Sequence, residues 1–324
     1  MRIWRSLYEA EQEIIKNNVR TILTIGNFDG VHRGHQAIMK RIRELKEDLS
    51  GWGVALVFVN HTESVLGKTP FLLNSKSLQR ELLSQQGLDA ILEIEFDAAI
   101  AEITAVDFFF NWIETGFHAA ALVVGHDFHF GADGQGDYRL LGTLSRQQRI
   151  HLEQIPPICE SDMIISSSNI RKLLSRGEME MANRMLGYSF IIEGMVTTGI
   201  QLGRKLGYPT ANLQLEPGLQ LPCYGVYLVR LNSEGRVYHG LANLGVKPTF
   251  DGTLPLLEVY LFDVRVDLYH KVVRVEFLHF IRPERRFSGP NSLQKQIEQD
   301  VALAKQLLES HEPSRQCVRE KTAD

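Results

Sequence analysis

Two histidines stand three residues apart in a glycine-rich stretch near the amino terminus. The stretch is Gly26-Asn27-Phe28-Asp29-Gly30-Val31-His32-Arg33-Gly34-His35. If a helix begins near His32, both imidazoles can face its amino-terminal end, where free backbone N–H groups favour phosphate. Imidazole donors at that place would stabilise the charge that develops when pyrophosphate leaves an α-phosphorus. The spacing predicts a phosphate site of this kind, and the alternative is a glycine-rich turn with two incidental surface histidines.

Two further polar stretches in the first half could complete such a site. They are Gly125-His126-Asp127-Phe128-His129-Phe130-Gly131 and Ser166-Ser167-Ser168-Asn169-Ile170-Arg171. In the first, Asp127 could accept hydrogen bonds from a ligand, and aromatic rings such as Phe128 could stack on a flat ring. In the second, the hydroxyls of Ser166 and Ser167 could cap a helix or donate to phosphate, and Arg171 could reach a polyphosphate. Serines in such a place are more often caps alone.

A second glycine-rich and basic stretch runs from residue 199 to residue 212. Glycines such as Gly203 let backbone amides approach a phosphate, and Lys205 adds positive charge. Pro209 fixes a turn, after which the Thr210 hydroxyl and the Asn212 carboxamide offer the hard oxygen donors that Mg²⁺ prefers. The stretch is not a P-loop, because the G-x-x-x-x-G-K-[ST] pattern is absent. The alternative is a polar loop between strands.

Glu258 is the candidate base of the second half. In a strand, alternation places it on one face with Leu256, Tyr260 and Phe262. A carboxylate on such an apolar face is costly to bury without a partner, so it is either paired or functional. As a general base it could take the proton from a substrate hydroxyl during phosphoryl transfer. The alternative is a structural salt bridge to an arginine such as Arg282.

The elements that position the first site read as a parallel, doubly wound α/β sheet. Four apolar runs predict buried strands over residues 21–26, 53–59, 90–95 and 120–125. Between them, Ile38, Ile42, Leu45 and Leu49 share one face of a helix that starts near Gly34. A second helix is predicted over 77–86, and a third, capped by Thr104, should bury Phe109 and Ile113 before Gly116.

The second half predicts strands without intervening helices. The runs cover residues 190–196, 225–231, 236–243, 256–264 and 272–281. This rhythm indicates an antiparallel barrel or sandwich, closed by one helix whose apolar face includes Leu293 and Leu308. We therefore expect an amino-terminal domain over 1–186, a carboxyl-terminal domain over 187–308 and a polar tail over 309–324.

Composition narrows the class of protein. The 324 residues fit two domains at roughly 150 residues each. Lys and Arg number 35 against 39 Asp and Glu, a net charge of −4 that argues against a nucleic-acid partner. Cys159, Cys223 and Cys317 are odd in number and widely spaced, which favours a reducing cytoplasm over a disulfide framework. No signal peptide and no apolar run of about 18 residues is seen, so no membrane association is expected.

Taken together, the motifs resemble the bacterial bifunctional riboflavin kinase/FMN adenylyltransferase family, also called FAD synthetase. The H-x-G-H motif alone is similar to the nucleotidyltransferase superfamily, and the acidic balance of the first half favours a small-molecule adenylyltransferase over a tRNA synthetase. The ordered motifs that carry the family resemblance are GNFDGVHRGH, GHDFHFG, SSSNIR, LGRKLGYPTAN, NLGVKPTF, LEVYLFD and RPERRF. The resemblance implies that the barrel makes FMN from riboflavin and ATP, and that the first domain transfers AMP from ATP to FMN, giving FAD, with Mg²⁺ at each site.

The resemblance also implies residue roles. His32 and His35 would stabilise the adenylyl-transfer transition state, and Asp127 and Phe128 would contact flavin. The nucleotide would be bound by Gly26, Asn27, Phe28, Gly34, Ser166, Ser167 and Arg171 in the first domain and by Gly203, Lys205, Pro209 and Thr210 in the second. Thr210 and Asn212 would hold Mg²⁺, and Glu258 would deprotonate the ribityl hydroxyl that attacks the γ-phosphorus.

Several positions depart from the family pattern, and three of them replace an arginine of the first domain. His129, Gln135 and Asn169 stand where arginine is usual, and neither histidine nor asparagine reproduces the permanent charge and donor fork of arginine. Three hypotheses follow: a bifunctional enzyme, a riboflavin kinase whose first domain only binds flavin or nucleotide, and a non-catalytic flavin sensor. The oligomeric state is left open by the sequence.

Overall fold

The structure is a computed structural model that describes residues 1–60, 71–197, 208–249, 252–264 and 266–311. The chain divides into two compact units. Unit 1 comprises Met1–Ile170, Met185–Gly187 and Gly218–Gln220, and unit 2 comprises the rest. The contact pattern thus allots residues 171–184 to unit 2, and the domain boundary at residue 186 stays a prediction.

Unit 1 is built on a parallel sheet of six strands. They are β1 (Arg2–Trp4), β2 (Thr21–Gly26), β3 (Trp52–Phe58), β4 (Ala90–Ile94), β5 (Ala119–Gly125) and β6 (His151–Ile155). The strand order is β1-β4-β3-β2-β5-β6, so the chain winds outward in both directions from β2 and β3. The predicted doubly wound sheet is confirmed, with the four predicted strands at its centre. The edge strands β1 and β6 were not predicted, because they lack the continuous apolar run of a strand buried on both faces.

Helices cover the sheet of unit 1. They are α1 (Leu7–Asn17), α2 (Arg33–Asp48), α3 (Lys76–Gln85), α4 (Ala98–Ala101), α5 (Ala105–Phe108) and α6 (Tyr138–Gln147). As predicted, α2 buries Ile38, Ile42 and Leu45, but it ends at Asp48, so Leu49 is its exposed C-cap and not part of the buried face. The helix capped by Thr104 continues from α5 as π-helix over Phe109–Gly116, a change of period that sequence spacing does not reveal.

Unit 2 is a closed antiparallel barrel. Its strands are β9 (Phe190–Thr197), β10 (Thr210–Leu215), β11 (Gly225–Ser233), β12 (Arg236–Thr249), β13 (Gly252–Leu261) and β14 (Val272–Pro283). Their order around the barrel is β10-β13-β12-β11-β14-β9. The predicted barrel is confirmed over the sandwich. Thr210 and Asn212, predicted in a phosphate loop, lie on a regular strand, because the polar run ends in an alternating segment, Thr210–Leu215, that pairs with β9 and β13.

Short elements connect the two halves of the sequence, and one helix closes the barrel. The connecting elements are β7 (Cys159–Glu160), β8 (Met163–Ile164), α7 (Ser167–Arg176) and α8 (Met179–Leu186). The closing helix, α9 (Pro290–His311), packs Ala304 against Val226, Leu228 and Leu241 on the outer face of the barrel. It extends three residues into the predicted tail, whose remaining residues, 312–324, lie outside the described residues.

None of the helices in the described ranges is long and apolar enough to cross a lipid bilayer.

Candidate active sites

The two histidines of unit 1 meet at the amino end of α2. His32 is the N-cap, and its Nδ1 accepts the backbone N–H of His35 at 3.4 Å. The two rings stack, with centroids 3.6 Å apart and planes 16° from parallel. Burial, and then the neighbouring His32, hold the pKa of His35 well below 6.5. Near neutral pH the His35 ring is therefore neutral. Both imidazoles lie at a helix end and His32 is only 5% exposed, which contradicts the alternative of two incidental surface histidines.

The loop that leads to this helix has an unusual backbone. Phe28 and the β-branched Val31 are buried with φ of 47° and 36°, a left-handed conformation that such side chains rarely adopt. Side-chain contacts hold it in place. The buried Asp29 carboxylate accepts the Leu73 N–H at 2.8 Å, and its carbonyl accepts the Ser167 hydroxyl at 2.8 Å. Strain held in this way is typical of ligand-binding loops.

The chain leaves little space for a side chain at Gly34, one residue before His35. A Cβ at Gly34 would lie 3.1 Å from the His32 Nδ1 and 3.5 Å from the Ile165 carbonyl oxygen. The close approach keeps the backbone N–H groups of the first helical turn beside the imidazoles. This placement agrees with the role predicted for Gly34 at a phosphate.

A cavity of about 580 Å³ opens at the carboxyl ends of the strands in unit 1. Ligands bind at this edge of a parallel sheet. Seven of the predicted site residues line it: Gly26, Asn27, Phe28, His35, Asp127, Phe128 and Ser167. The structure thus brings residues of two predicted stretches, 26–35 and 125–131, together around one cavity. From the third stretch, 166–171, Ser167 lines the same cavity.

Aromatic rings that the sequence analysis did not select form one wall of this cavity. Phe58 and Phe96 are in edge contact, with ring centroids 5.1 Å apart, and Phe108 lies beside Phe130. Phe128 and Phe130 are nearly parallel, with centroids 5.7 Å apart and planes 12° from parallel. The position of Phe58 at the carboxyl end of β3 was the available signal, because side chains at that edge face the ligand crevice. Such a wall suits a flat, apolar ring.

Two of the positions that depart from the family pattern, His129 and Asn169, have local partners. His129 Nδ1 lies 3.0 Å from the Asp127 carbonyl oxygen, and the Asn169 Nδ2 donates to the Ile164 carbonyl at 2.8 Å. Ser166 accepts the Asn169 backbone N–H at 3.3 Å, so it caps α7. Arg171 follows Ser167 by four residues on this helix and is allotted to unit 2. Its contact with a nucleotide, and that of Ser166, stay predictions.

In unit 2, the register of the barrel brings the predicted kinase residues together. Asn212 on β10 is the direct cross-strand partner of Glu258 on β13, and Thr210 is the partner of Tyr260. Leu257 and Val259 are fully buried, whereas Glu258 and Tyr260 are partly exposed. The alternation predicted for Glu258 is therefore present, and it directs this carboxylate to the outer face of the barrel.

Arg282, considered above as a salt-bridge partner of Glu258, instead pairs with another acid, Asp300. The Arg282 guanidinium makes two close contacts with Asp300 of α9, at 2.9 Å from Nε and 2.8 Å from a terminal nitrogen to Oδ2. Gln296 adds a hydrogen bond to Asp300 at 2.7 Å. Asp300 is only 3% exposed. The alternative in which Arg282 pairs with Glu258 is therefore wrong, because the Arg282 guanidinium binds Asp300 of the closing helix.

The donor set of β10 fits Mg²⁺. Thr210 supplies a hydroxyl, and Asn212, 6% exposed, supplies a carboxamide oxygen. Proteins commonly bind Mg²⁺ with one or two such ligands while substrate phosphates and water complete the shell. Within the described ranges, no group of three or more His, Cys, Asp or Glu side chains forms an alternative metal site. Gly203 and Lys205 lie outside the described residues, and Pro209 directly precedes β10.

Two family models match the chain. A model described as FAD synthetase matches residues 14–169, and one described as riboflavin kinase matches residues 186–308. Each match covers one of the two candidate sites. The comparisons therefore favour the bifunctional hypothesis over a kinase with a binding-only first domain, and over a non-catalytic sensor.

Similar proteins span nearly the whole chain. A bifunctional riboflavin kinase/FMN adenylyltransferase from Haemophilus influenzae is 36% identical over 96% of this chain and 100% of its own length. A relative of the same description from Escherichia coli K12 is 33% identical over 90% of this chain and 94% of its own. A crystal structure described as a macrolide-efflux protein from Streptococcus pneumoniae shares the fold, with a TM-score of 0.82, 27% identity and coverage of 90% of this chain and 96% of that one. With both sites in place and relatives of matching length, the chain belongs to the bifunctional riboflavin kinase/FMN adenylyltransferase family.

Proposed function

We propose that the chain carries out two consecutive reactions on flavin, each in its own unit. Unit 2 phosphorylates riboflavin with ATP to give FMN, and unit 1 transfers AMP from a second ATP to FMN, giving FAD and pyrophosphate. The observation that carries this proposal is the presence of two separate constellations, the stacked His32 and His35 and the cross-strand pair Asn212 and Glu258. Each lies within the residues matched by the corresponding family model.

In unit 1, an oxygen of the FMN phosphate attacks the α-phosphorus of ATP. The new P–O bond forms as the bond from that phosphorus to the bridging oxygen breaks, and pyrophosphate leaves. His32 accepts a hydrogen bond through Nδ1, so in its neutral form the proton is on Nε2, where it can be donated to a phosphoryl oxygen. Imidazole donors at the end of α2 stabilise the developing charge together with the partial positive charge of the helix.

The remaining residues of the unit 1 site would bind the two substrates. Gly26, Asn27, Phe28 and Gly34 would contact the nucleotide, with Ser166, Ser167 and Arg171 at its phosphates. Asp127 and Phe128, beside the aromatic wall, would contact the flavin ring. Their shared place around one cavity supports these roles for the residues that line it.

In unit 2, Glu258 would take the proton from the terminal ribityl hydroxyl while that oxygen attacks the γ-phosphorus and ADP leaves. Thr210 and Asn212 would hold Mg²⁺, which neutralises phosphate charge when bound. The cross-strand pairing of Asn212 with Glu258 supports this proposal, because the two residues are direct neighbours on adjacent strands. Gly203, Lys205 and Pro209 would complete the contacts with ATP.

The setting proposed for these reactions is the cytoplasm, with small molecules as the only partners and no nucleic acid or membrane. The net charge of −4 supports the absence of a polyanion partner. The described cysteines, Cys159 and Cys223, are free thiols, which agrees with a reducing compartment.

Chromatography of the flavins formed by the purified protein tests the proposal. One incubation contains riboflavin, ATP and Mg²⁺, and a parallel one contains FMN in place of riboflavin. FMN followed by FAD in the first, and FAD in the second, are expected. FMN accumulating without FAD would restore the kinase-only hypothesis, and no turnover of either flavin would contradict both reactions.

A further inference from the structure

We propose that Gln36 is a positioning residue of unit 1 that holds the peptide bond before His32 in the orientation that adenylyl transfer requires. The inference rests on the adenylyl transfer proposed for unit 1 and adds one residue to it. Gln36 directly follows His35 on α2. Its side chain lies outside the described lining of the unit 1 cavity, so it acts through the backbone that carries His32.

Gln36 is hydrogen-bonded to the backbone on both sides of His32. Its side-chain Nε2 donates to the Val31 carbonyl at 2.8 Å, and its backbone N–H donates to the His32 carbonyl at 2.9 Å. The backbone bond is the first regular bond of the helix, whereas the side-chain bond has no counterpart in a regular helix. The Val31 carbonyl belongs to the peptide bond that joins Val31 to His32. Gln36 therefore fixes the direction in which the chain enters His32.

The conformation of Val31 explains why this peptide bond needs an external partner. Val31 is fully buried and has a φ of 36°, which a β-branched residue rarely adopts. Such a backbone persists only where surrounding contacts hold it. Without the bond to its carbonyl, Val31 would relax toward negative φ and rotate the peptide plane before His32. The His32 ring, which stacks on His35 with centroids 3.6 Å apart, would then move away from its place at the end of α2.

The same nitrogen of Gln36 has a second acceptor outside the histidine stretch. It donates to the Leu186 carbonyl at the end of α8, at 2.8 Å. The next residue, Gly187, has a φ of 80°, and a Cβ there would lie 3.1 Å from the Gln36 Oε1 and 3.2 Å from its Nε2. The missing side chain leaves room for the amide. The Val31 carbonyl is thus tied through Gln36 to a separate helix and not to its own loop alone.

The two bonds make glutamine the specific residue for this place. A carboxamide nitrogen carries two hydrogens, and the two carbonyl oxygens at 2.8 Å can each accept one. Methionine has a similar length but no donor, and glutamate would bring carboxylate oxygens against two carbonyl oxygens. Substitution by either therefore removes the hydrogen bonds while largely keeping the volume of the side chain.

Steady-state kinetics of FMN adenylylation by Gln36→Met and Gln36→Glu test the inference. We expect kcat to fall about 10-fold to 100-fold in Gln36→Met, and further in Gln36→Glu. The KM values for ATP and FMN should change less than about threefold, because a displaced His32 weakens stabilisation of the transition state more than binding of the substrates. Gln85→Glu, at an exposed glutamine of α3, is the matched control and should leave kcat unchanged. Riboflavin phosphorylation should be unchanged in every variant.

NMR of the histidine side chains gives a second measurement that does not depend on catalysis. Stacked rings shift each other's carbon-bound proton resonances, so the imidazole resonances of His32 and His35 should move in Gln36→Met. They should stay in place in Gln85→Glu. A variant that only lowered the stability of unit 1 would keep the wild-type resonances and the wild-type kcat in its folded fraction.

The other outcomes overturn the inference in distinguishable ways. A kcat and imidazole resonances equal to those of wild type in Gln36→Met would remove Gln36 from the mechanism and leave the proposed adenylyl transfer intact. A raised KM with an unchanged kcat would make Gln36 a substrate-binding residue and contradict its positioning role. A wild-type protein that does not adenylylate FMN would overturn the proposed reaction and this inference together.

Discussion

The two candidate sites position their proposed site residues in different ways. In unit 1 the proposed catalytic histidines lie in one stretch of ten residues, Gly26 to His35, in which the backbone is left-handed at Phe28 and Val31 and is held by the hydrogen bonds of Asp29. In unit 2 the proposed site residues lie on regular strands, and Asn212 and Glu258 come from different strands of the barrel. There the hydrogen-bond register of the barrel does the positioning, as the pairing of Asn212 with Glu258 shows.

The difference also extends to charge. In the unit 1 site, burial and the neighbouring His32 lower the pKa of His35, and both imidazoles lie at a helix end. In the unit 2 site, the proposed base is the carboxylate of Glu258. FMN attacks through a phosphate oxygen that is already ionised, so adenylyl transfer needs donors for the developing charge and no base, whereas riboflavin attacks through a hydroxyl, whose proton a base must accept. The comparison leads us to expect that each activity can be removed without the other.

The largest difference between the two activities is expected from Glu258→Gln. The substitution keeps the shape of the side chain but removes the base, so riboflavin phosphorylation should fall about a thousandfold. FMN adenylylation in the same preparation should be unchanged. The two rates are measured by separating flavins after incubation with riboflavin or with FMN. Kinase activity within a few-fold of wild type would remove Glu258 from the mechanism.

The reverse separation is expected from His32→Asn. Asparagine is a good N-cap, so α2 should persist, but the imidazole donor is lost. FMN adenylylation should fall by about 100-fold to 500-fold, as for the loss of one preorganised donor. Pyrophosphate release from FMN and ATP measures the effect, and riboflavin phosphorylation serves as the control. If both activities fell together, the two units would not act independently.

Removing the buried acid of unit 2 should weaken the scaffold of its site and spare the other unit. Asp300→Ala leaves the Arg282 guanidinium without its partner beneath α9, at a cost of about 3 to 5 kcal/mol in the free energy of unfolding. Urea unfolding followed by riboflavin phosphorylation measures the loss. Glu298→Ala, an exposed acid on the same helix, is the matched control and should change little. An Asp300→Ala protein as stable as wild type would show that the barrel holds its site without this pair.

The smallest effect concerns pH and is confined to unit 1. Because the pKa of His35 is lowered in the folded state, the unfolded chain binds more protons below pH 6.5, and stability is lost as the pH falls through that value. The slope contributed by this one group is at most about 1.4 kcal/mol per pH unit. Thermal unfolding of wild type and His35→Gln between pH 5 and 7.5 should show a flatter profile for the variant. Parallel profiles would contradict the buried neutral imidazole.

The unit 1 site was largely predictable because its residues are neighbours in the sequence. The predicted strand 21–26 is β2, and a helix follows as the histidine spacing requires. The aromatic wall was not predictable in the same way. Phe58 and Phe96 follow different strands, and only the order β4-β3-β2 of the sheet brings those strand ends to one cavity.

The unit 2 site shows which contacts could not be predicted from the sequence. The alternation around Glu258 was visible, but a pattern of period two does not say which strands are neighbours. Arg282 was a reasonable partner for Glu258 on charge alone. The closure of the barrel instead turns Arg282 toward Asp300 of α9 and sets Asn243 beside Glu258.

The sequence by itself determined the two halves, the type of each sheet and the groups able to do chemistry. These follow from local periodicity and from residues that are close along the chain. The tertiary structure decided which distant side chains meet, how far His35 is shielded from water, and which acid Arg282 neutralises. Strand register, burial and helix packing arise from contacts across the fold, and their energies have no counterpart in local spacing.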